Sequence, residues 1–490
     1  MIKDLTAFMV ALRHRKPAPR PRVSIPGTVL GATREGEDVV LLVPTASEAH
    51  HVLVAGASGT GKTQLVASAL VREYLALRQL PHPPSIVVID PKGDLAEALV
   101  TELAYTAPAL LGRVHPLDPF GPGFPLNLRH VPLGATPVEI RATQIAELVG
   151  LASTARGAQG GLGIGARQID VLEHLILATL DSNEPHSSLL WALDALQMPN
   201  GFDVLATKTC SERARGFLTT TRLPEELRSS TAARLRAAFA ATSALERMIG
   251  AAGAIDLQAL IAEGEITVID LGRPPGGLAS LQAFFATLLG RLFLDLLLSR
   301  PSPWRGHHTR LVLDEAQIVV PVLHDAIERV LTTGRSRGVS LVLMSQNLAP
   351  IQRDAPELIS IALTNVPLKL IGRVSGGDAE IFAREQAVPR GSEEPLLDFR
   401  RSTVAALTNL PNRVFLAFTA GRRMRFESLA QDMRARGLAV EREADSISMM
   451  RARHALTHVQ PIVRLVAEVP APTPPPRPTR RPHRPGSEFG

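Results

Sequence analysis

Between residues 51 and 346 the chain alternates short, predominantly apolar runs with longer stretches whose apolar residues recur at three- and four-residue spacing. The runs are "HVLVAG" (51–56), "SIVVID" (85–90), "ITVIDLG" (266–272), "TRLVLDEA" (309–316) and "VSLVLMSQ" (339–346). Strands that are apolar throughout, with helices between them, predict a mostly parallel sheet covered on both faces. The expected fold class is therefore α/β.

From about 135 to 255 the pattern changes. Segments such as "ATQIAELVGLA", "ARQIDVLEHLILATL" and "AARLRAAFAATSALERMIG" have helical periodicity, and no convincing strand separates them. This predicts an all-α domain inserted between two strands of the sheet, with a Gly-rich loop, "RGAQGGLGIGA" (156–166), near its start. Upstream, "VSIPGTVLGA" and "DVVLLVP" flank the polar turn "TREGED", which predicts a small β-hairpin. The expected organisation is a basic arm (1–22), a small β element (23–46), the sheet domain in two pieces (47–134 and 256–440), the inserted helical domain (135–255) and a C-terminal extension (441–490). From about 469 that extension is a basic polyproline tail, expected to be disordered.

Composition narrows the picture. A hydrophobic content of 45% and a charged content of 20% over 490 residues fit a globular protein of two or three domains. One cysteine, Cys210, excludes an internal disulfide and any zinc site built from several cysteines. The net charge of +6 is a mild bias toward acidic partners. Charges interrupt the apolar stretch of "MIKDLTAFMVALRHRK", so no signal peptide is expected. The most apolar segment, "LQAFFATLLGRLFLDLLLSR" (281–300), contains Arg291 and Asp295 and predicts a helix buried between protein layers rather than a membrane span. A cytoplasmic location, peripheral at the inner membrane if partners hold it there, fits these features.

The candidate chemistry begins with a lysine. The chain has only six lysines against 47 arginines, yet Lys62 sits at the centre of "GASGTGKT". Gly56 to Thr63 fits G-x-x-x-x-G-K-[ST] between a predicted strand and a predicted helix. In such a loop backbone N–H groups cradle phosphates, the lysine reaches the β/γ-phosphates as a compact charge, and the Thr hydroxyl ligates Mg²⁺. A helix N-terminus adds partial positive charge, and the wide planar fork of arginine does not fit the same cradle. The alternative is a flexible Gly-rich turn; the strand–loop–helix context favours phosphate. Gly56, Ala57, Ser58, Gly59, Thr60, Gly61, Lys62, Thr63 and Gln64 are the candidate nucleotide-binding residues, with ATP and Mg²⁺ as cofactors.

Three predicted strands end in aspartate, at Asp90, Asp270 and Asp314. Hydrolysis needs one carboxylate near Mg²⁺ and a second to polarise water, and only "RLVLDEAQ" supplies both. Asp314 is the candidate metal residue beside Thr63, and Glu315 the candidate base. The plainer role for Asp314 is a helix cap. Gln346, at the end of the next strand, points to the crevice where ligands bind in open α/β sheets, and is a candidate phosphate or water sensor. Arg335 and Arg337, in "TTGRSRGVS", are candidate transition-state arginines acting on a neighbouring subunit. The sequence offers no obvious arginine to act within the same subunit. On its residues alone, "DPKGD" (90–94) receives no catalytic role; Asp94 capping a helix and Lys92 on the surface is the plain reading.

Taken in order, "GASGTGKT", "VVIDPKGDL", "FPLNL", "LVLDEAQ", "GRSRGVSLVLMSQN" and "LPNRVFLAFTAGRRMRFESL" resemble the HerA/FtsK superfamily of motor ATPases. Within it they are most similar to the HerA and conjugative coupling-protein (VirD4/TraG-like) branches. The resemblance covers about 25–125 and 265–430. It implies a RecA-like fold, a homohexameric ring, ATP hydrolysis between subunits, and double-stranded DNA in the central channel. It also implies a place for "DPKGD" near the nucleotide or the neighbouring subunit. A membrane-bound transfer apparatus or a nuclease are the partners it suggests. Coupling proteins usually carry N-terminal membrane helices, which this sequence does not predict. HerA proteins usually carry a larger N-terminal β-barrel than residues 23–46 can make. Alternatives within the resemblance are a motor for a protein load, a defence or resection ATPase working with a nuclease, and a nucleotide-gated scaffold.

Overall fold

The computed structural model describes residues 31–32, 38–39, 50–121, 125–129, 137–157, 165–239, 243–272, 274, 279–385, 395–419, 422–428 and 465. The basic arm, most of the 156–166 loop and the polyproline tail lie outside them.

Eleven strands form one sheet. In chain order these are β1 (Gly31–Ala32), β2 (Asp38–Val39), β3 (Val52–Ala55), β4 (Ser85–Asp90), β5 (Val114–Leu117) and β6 (Ile266–Asp270). The rest are β7 (Thr309–Leu313), β8 (Val339–Ser345), β9 (Leu368–Ile371), β10 (Val414–Thr419) and β11 (Arg422–Ser428). Their spatial order is β2-β1-β11-β10-β9-β3-β8-β7-β4-β6-β5. From β9 to β5 every pairing is parallel. β10 and β11 add an antiparallel hairpin at one side. The two short strands before the phosphate loop pair antiparallel with each other, and β1 joins β11, so they extend the same sheet.

The apolar strands are explained by what covers them. Alternate residues point to opposite faces. Val52, Val54, Ile86, Val88, Val312 and Met344 pack with α1 (Lys62–Leu77) and α2 (Asp94–Thr106). Leu53, Ala55, Val87, Ile89, Leu311 and Leu343 face the other layer.

Between β5 and β6 the described residues form eight α-helices: α3 (Val138–Gly157), α4 (Ala166–Leu180), α5 (Leu190–Gln197), α6 (Gly201–Lys208), α7 (Glu212–Thr220), α8 (Glu225–Phe239), α9 (Ser243–Ile249) and α10 (Leu257–Leu260). Among the described residues of this stretch the only β pairing is in isolated bridges. Helix α3 packs on α11 (Ala279–Leu298), so the buried side chains of the helical segment are continuous with the core under the sheet. The second layer is completed by α11 and α12 (Ala316–Thr333). Helices α13 (Ala349–Asp354), α14 (Pro356–Asn365), α15 (Gly376–Glu385) and α16 (Leu396–Thr408) follow.

Helix α11 is the apolar segment singled out above. Leu281–Leu298 is long and apolar enough to cross a membrane, but 72% of it is buried inside the protein. Phe284, Phe285 and Phe293 are fully buried, each stabilising the fold by roughly 1.5–3 kcal/mol. Arg291 and Asp295, one turn apart, pair at 2.7 Å on its less buried face.

Candidate functional site

The parallel strands place their C-terminal ends side by side, and there a cavity of about 400 Å³ opens. Its floor is the loop between β3 and α1. Gly59 (φ 76°) and Gly61 (φ 91°) take left-handed backbone, which glycine adopts without strain. Ser58, Gly59, Gly61, Lys62, Thr63 and Gln64 line the cavity. Gly56, Ala57 and Thr60 shape the loop from behind. The Thr60 hydroxyl donates to Ala57 O at 2.8 Å, and a Cβ on Gly56 would meet that hydroxyl at 2.9 Å and Gly372 at 3.3 Å.

Lys62 is 8% exposed, and its ammonium donates to Gly56 O (2.6 Å) and Ala57 O (3.1 Å). Burial lowers its pKa, opposed by the carboxylates of Glu315 and Asp314. Among the described residues only backbone carbonyls bond this charge, so phosphate oxygens can replace them.

The opposite wall comes from β7. Asp314 and Glu315 follow its last residue, and both are buried. Burial, with the Asp90 carboxylate adding to it, pushes the Asp314 carboxyl up to about 7. A carboxyl so poised exchanges its proton readily for a cation. The hydroxyl of Thr63 and the carboxylate of Asp314, both on the cavity wall, are hard oxygen donors that suit Mg²⁺. Asp314 does not cap α12; its Oδ1 accepts the amide of the next residue at 2.8 Å. Of the three strand-end aspartates it is Asp90 that bonds a helix start: its Oδ2 accepts the Leu95 and Ala96 amides at the start of α2.

Glu315 is held from three sides. Its Oε1 accepts from Lys92 Nζ and from Gln346 Nε2, each at 2.5 Å, and its Oε2 accepts from Gln317 Nε2. Gln346, one residue beyond β8, thus meets Glu315 in the cavity, as its place at a strand end implied. The "DPKGD" loop lies here too. Lys92 and Asp94 line the cavity; Lys92 is a surface residue, as the plain reading expected, and its exposed side chain also reaches the site. Residues Asn412 and Arg413, from the turn before β10, complete the lining. Neither was a sequence candidate, and Arg413 corrects the expectation that no arginine of the same subunit reaches the site. The only signal was the turn-forming "LPNR" before an apolar run.

Arg335 and Arg337 are not part of this cavity. They lie on a 3₁₀ turn, Gly334–Arg337, that leads into β8, at the N-terminal end of the parallel strands, opposite the phosphate loop. Arg337 donates to Arg300 O, and a Cβ on Gly334 would lie 3.6 Å from His51, which precedes β3. The four residues of β3 separate His51 from the loop, about 13 Å of strand. Among the described residues no cluster of three or more His, Cys, Asp or Glu side chains is arranged to hold a metal. Cys210 is a free, exposed thiol.

The model for the central domain of helicase HerA matches residues 28–287, more than half of the 490-residue chain. The chain belongs to this family. The match takes in the phosphate loop, "DPKGD" and the helical segment. Solved structures agree on the fold. The VirB4 structure from Thermoanaerobacter pseudethanolicus superposes with a TM-score of 0.55 at 18% identity, covering 83% of this chain and 97% of that one. The bacterial conjugative coupling protein TrwB, as TrwBΔN70, gives 0.52 at 15%, covering 84% and 90%. A TrwB complex with ADP and Mg²⁺ gives 0.52 at 16%, covering 80% and 88%. No curated protein sequence matches the chain. The HerA-family chain is thus a P-loop ATPase of the HerA/FtsK type, with a RecA-like, mostly parallel sheet.

Proposed function

We propose that this HerA-family chain is an ATP-driven motor that translocates double-stranded DNA as a homohexamer, in DNA transfer or processing. The observation that carries the reading is the single cavity in which a phosphate loop faces Asp314, Glu315, Gln346 and Lys92. A pure scaffold needs no such water-activating group. In this reading the loop from Gly56 to Gln64 binds the triphosphate, with Lys62 at the β/γ-phosphates. Thr63 and Asp314 hold Mg²⁺, which when bound neutralises charge on the phosphates. Glu315 accepts the proton of the attacking water, and Gln346 orients Glu315 or the water. Arg335 or Arg337, at the opposite end of the strands from the phosphate loop, serves the site of the next subunit. Residues 47–134 and 256–440 form the motor domain, and 135–255 its inserted helical domain. The protein works in the cytoplasm, reaching the inner membrane through partners.

Turnover compared without DNA, with single strands and with duplex tests the load. Stimulation greatest with duplex, weakening steeply with salt as phosphate contacts must, is the expected result. Indifference to all nucleic acid would turn the reading toward a protein load or a nuclease-coupled role.

A further inference from the structure

Among the described residues, two that are not glycine have left-handed backbone: Glu315 (φ 49°) and Arg413 (φ 67°). Both line the same cavity. Such backbone is unfavourable for a residue with a side chain, and it persists where the surroundings enforce it, often at functional sites. For Glu315 the proposed chemistry supplies the reason. For Arg413 it does not.

Arg413 is fastened from both sides. Its amide donates to Thr60 O in the phosphate loop at 2.9 Å, and its carbonyl accepts the Ser428 amide of β11 at 2.8 Å. The loop is shaped around its side chain: a Cβ on Gly61 would lie 3.3 Å from Arg413 Cγ. The guanidinium has no hydrogen-bond or ion-pair partner among the described residues. Arg310, by contrast, is paired with Glu73. A guanidinium without a carboxylate, held in a phosphate-binding cavity on strained backbone, is built for an anion that arrives from outside.

The position selects the anion. Lys92, Gln346 and Glu315 form one hydrogen-bonded group at the hydrolytic wall. Arg413 is joined to the loop at Thr60 and Gly61, whose backbone belongs to the part that cradles the α- and β-phosphates. Resting on the nucleotide-binding reading above, we propose that Arg413 is a binding residue for the diphosphate part of a nucleoside di- or triphosphate, in the same subunit as the phosphate loop. It grips what ADP and ATP share, so it retains product as firmly as substrate.

The test is titration calorimetry of the full chain with Mg²⁺, using ADP and a non-hydrolysable ATP analogue, on wild type and Arg413→Gly. Glycine accepts the left-handed backbone, so the nucleotide-free variant should melt at the same temperature as wild type or higher. Its affinity for both ligands should fall by the same factor, about 10- to 100-fold, as for a lost hydrogen bond to a charged group. Unchanged affinity would overturn the assignment. A loss confined to the ATP analogue would also overturn it, by moving Arg413 to the γ-phosphate. A clearly lower melting temperature with normal affinity would make Arg413 a packing residue. Wild type that binds neither ligand would instead sink the nucleotide reading itself.

Discussion

The ammonium of Lys92 lies 2.5 Å from Oε1 of Glu315, joining a half-exposed lysine to a carboxylate that is 6% exposed. The same oxygen accepts from Gln346. Glu315 is thereby fixed in direction before any water is activated. A base must be within hydrogen-bond reach of the proton it takes, so orientation sets its efficiency.

Lys92→Met should therefore act on turnover rather than on binding. We expect kcat to fall by about 10-fold, the low end for a lost positioning contact, with KM changed little. Steady-state kinetics decide it. A raised KM at normal kcat would mean that Lys92 touches the nucleotide and not the base.

Acid should destabilise the fold through histidines behind the site. His51 is fully buried, and its Nδ1 accepts the Leu341 amide at 3.0 Å, which leaves the proton on an unpartnered Nε2. Burial, then the charges of Arg335 and Arg310, lower its pKa from 6.5 to about 3. The unfolded chain takes up this proton below pH 6.5 while the folded one does not until about 3. Stability is thus lost as pH falls from 6.5 toward 3, by up to roughly 1.4 kcal/mol per pH unit from this residue. His308, also buried, is shifted the same way, first by desolvation and then by the charges of Arg310 and Arg300. Melting temperature against pH should fall less steeply in His51→Gln. An identical slope in the variant would remove His51 from the account.

Much of this was legible in the sequence. The five apolar runs became β3, β4, β6, β7 and β8, because burial on both faces keeps their interiors mainly apolar, with Thr267, Arg310 and Ser340 as buried exceptions. What escaped has physical reasons. β5 contains Pro116, which is tolerated because β5 pairs only with β6 at the sheet edge. β9 carries the buried Lys369, whose ammonium is satisfied locally by Val366 O, so its apolar pattern is broken. Of the six lysines, Lys62 announced itself through its loop. Lys92 lies in the same cavity but meets Glu315 more than 200 residues away, which no local pattern reveals. Arg413 likewise meets Thr60 only through the placing of β10 beside β9, the strand next to β3.

The shared-site reading predicts complementation. Arg335→Ala, or failing that Arg337→Ala, should leave ATP binding intact and cut turnover by roughly 10³-fold or more, the scale of an arginine supplied in trans. Mixed with Lys62→Ala subunits, each inactive alone, it should recover activity at interfaces where an intact loop faces an intact arginine. Mixed rings with no recovery, or a monomer at full rate, would contradict the shared site and favour an arginine acting within the same subunit.

The central claim is that this cavity hydrolyses ATP with Glu315 as base, and the turnover of Glu315→Gln tests it most directly. The glutamine keeps an oxygen for Lys92 to bond, and Lys62, Thr63 and Asp314 are untouched. ATP and Mg²⁺ should still bind, with turnover about 10²- to 10⁴-fold below wild type. A variant that binds ATP and hydrolyses it at the wild-type rate would contradict the account and require another base.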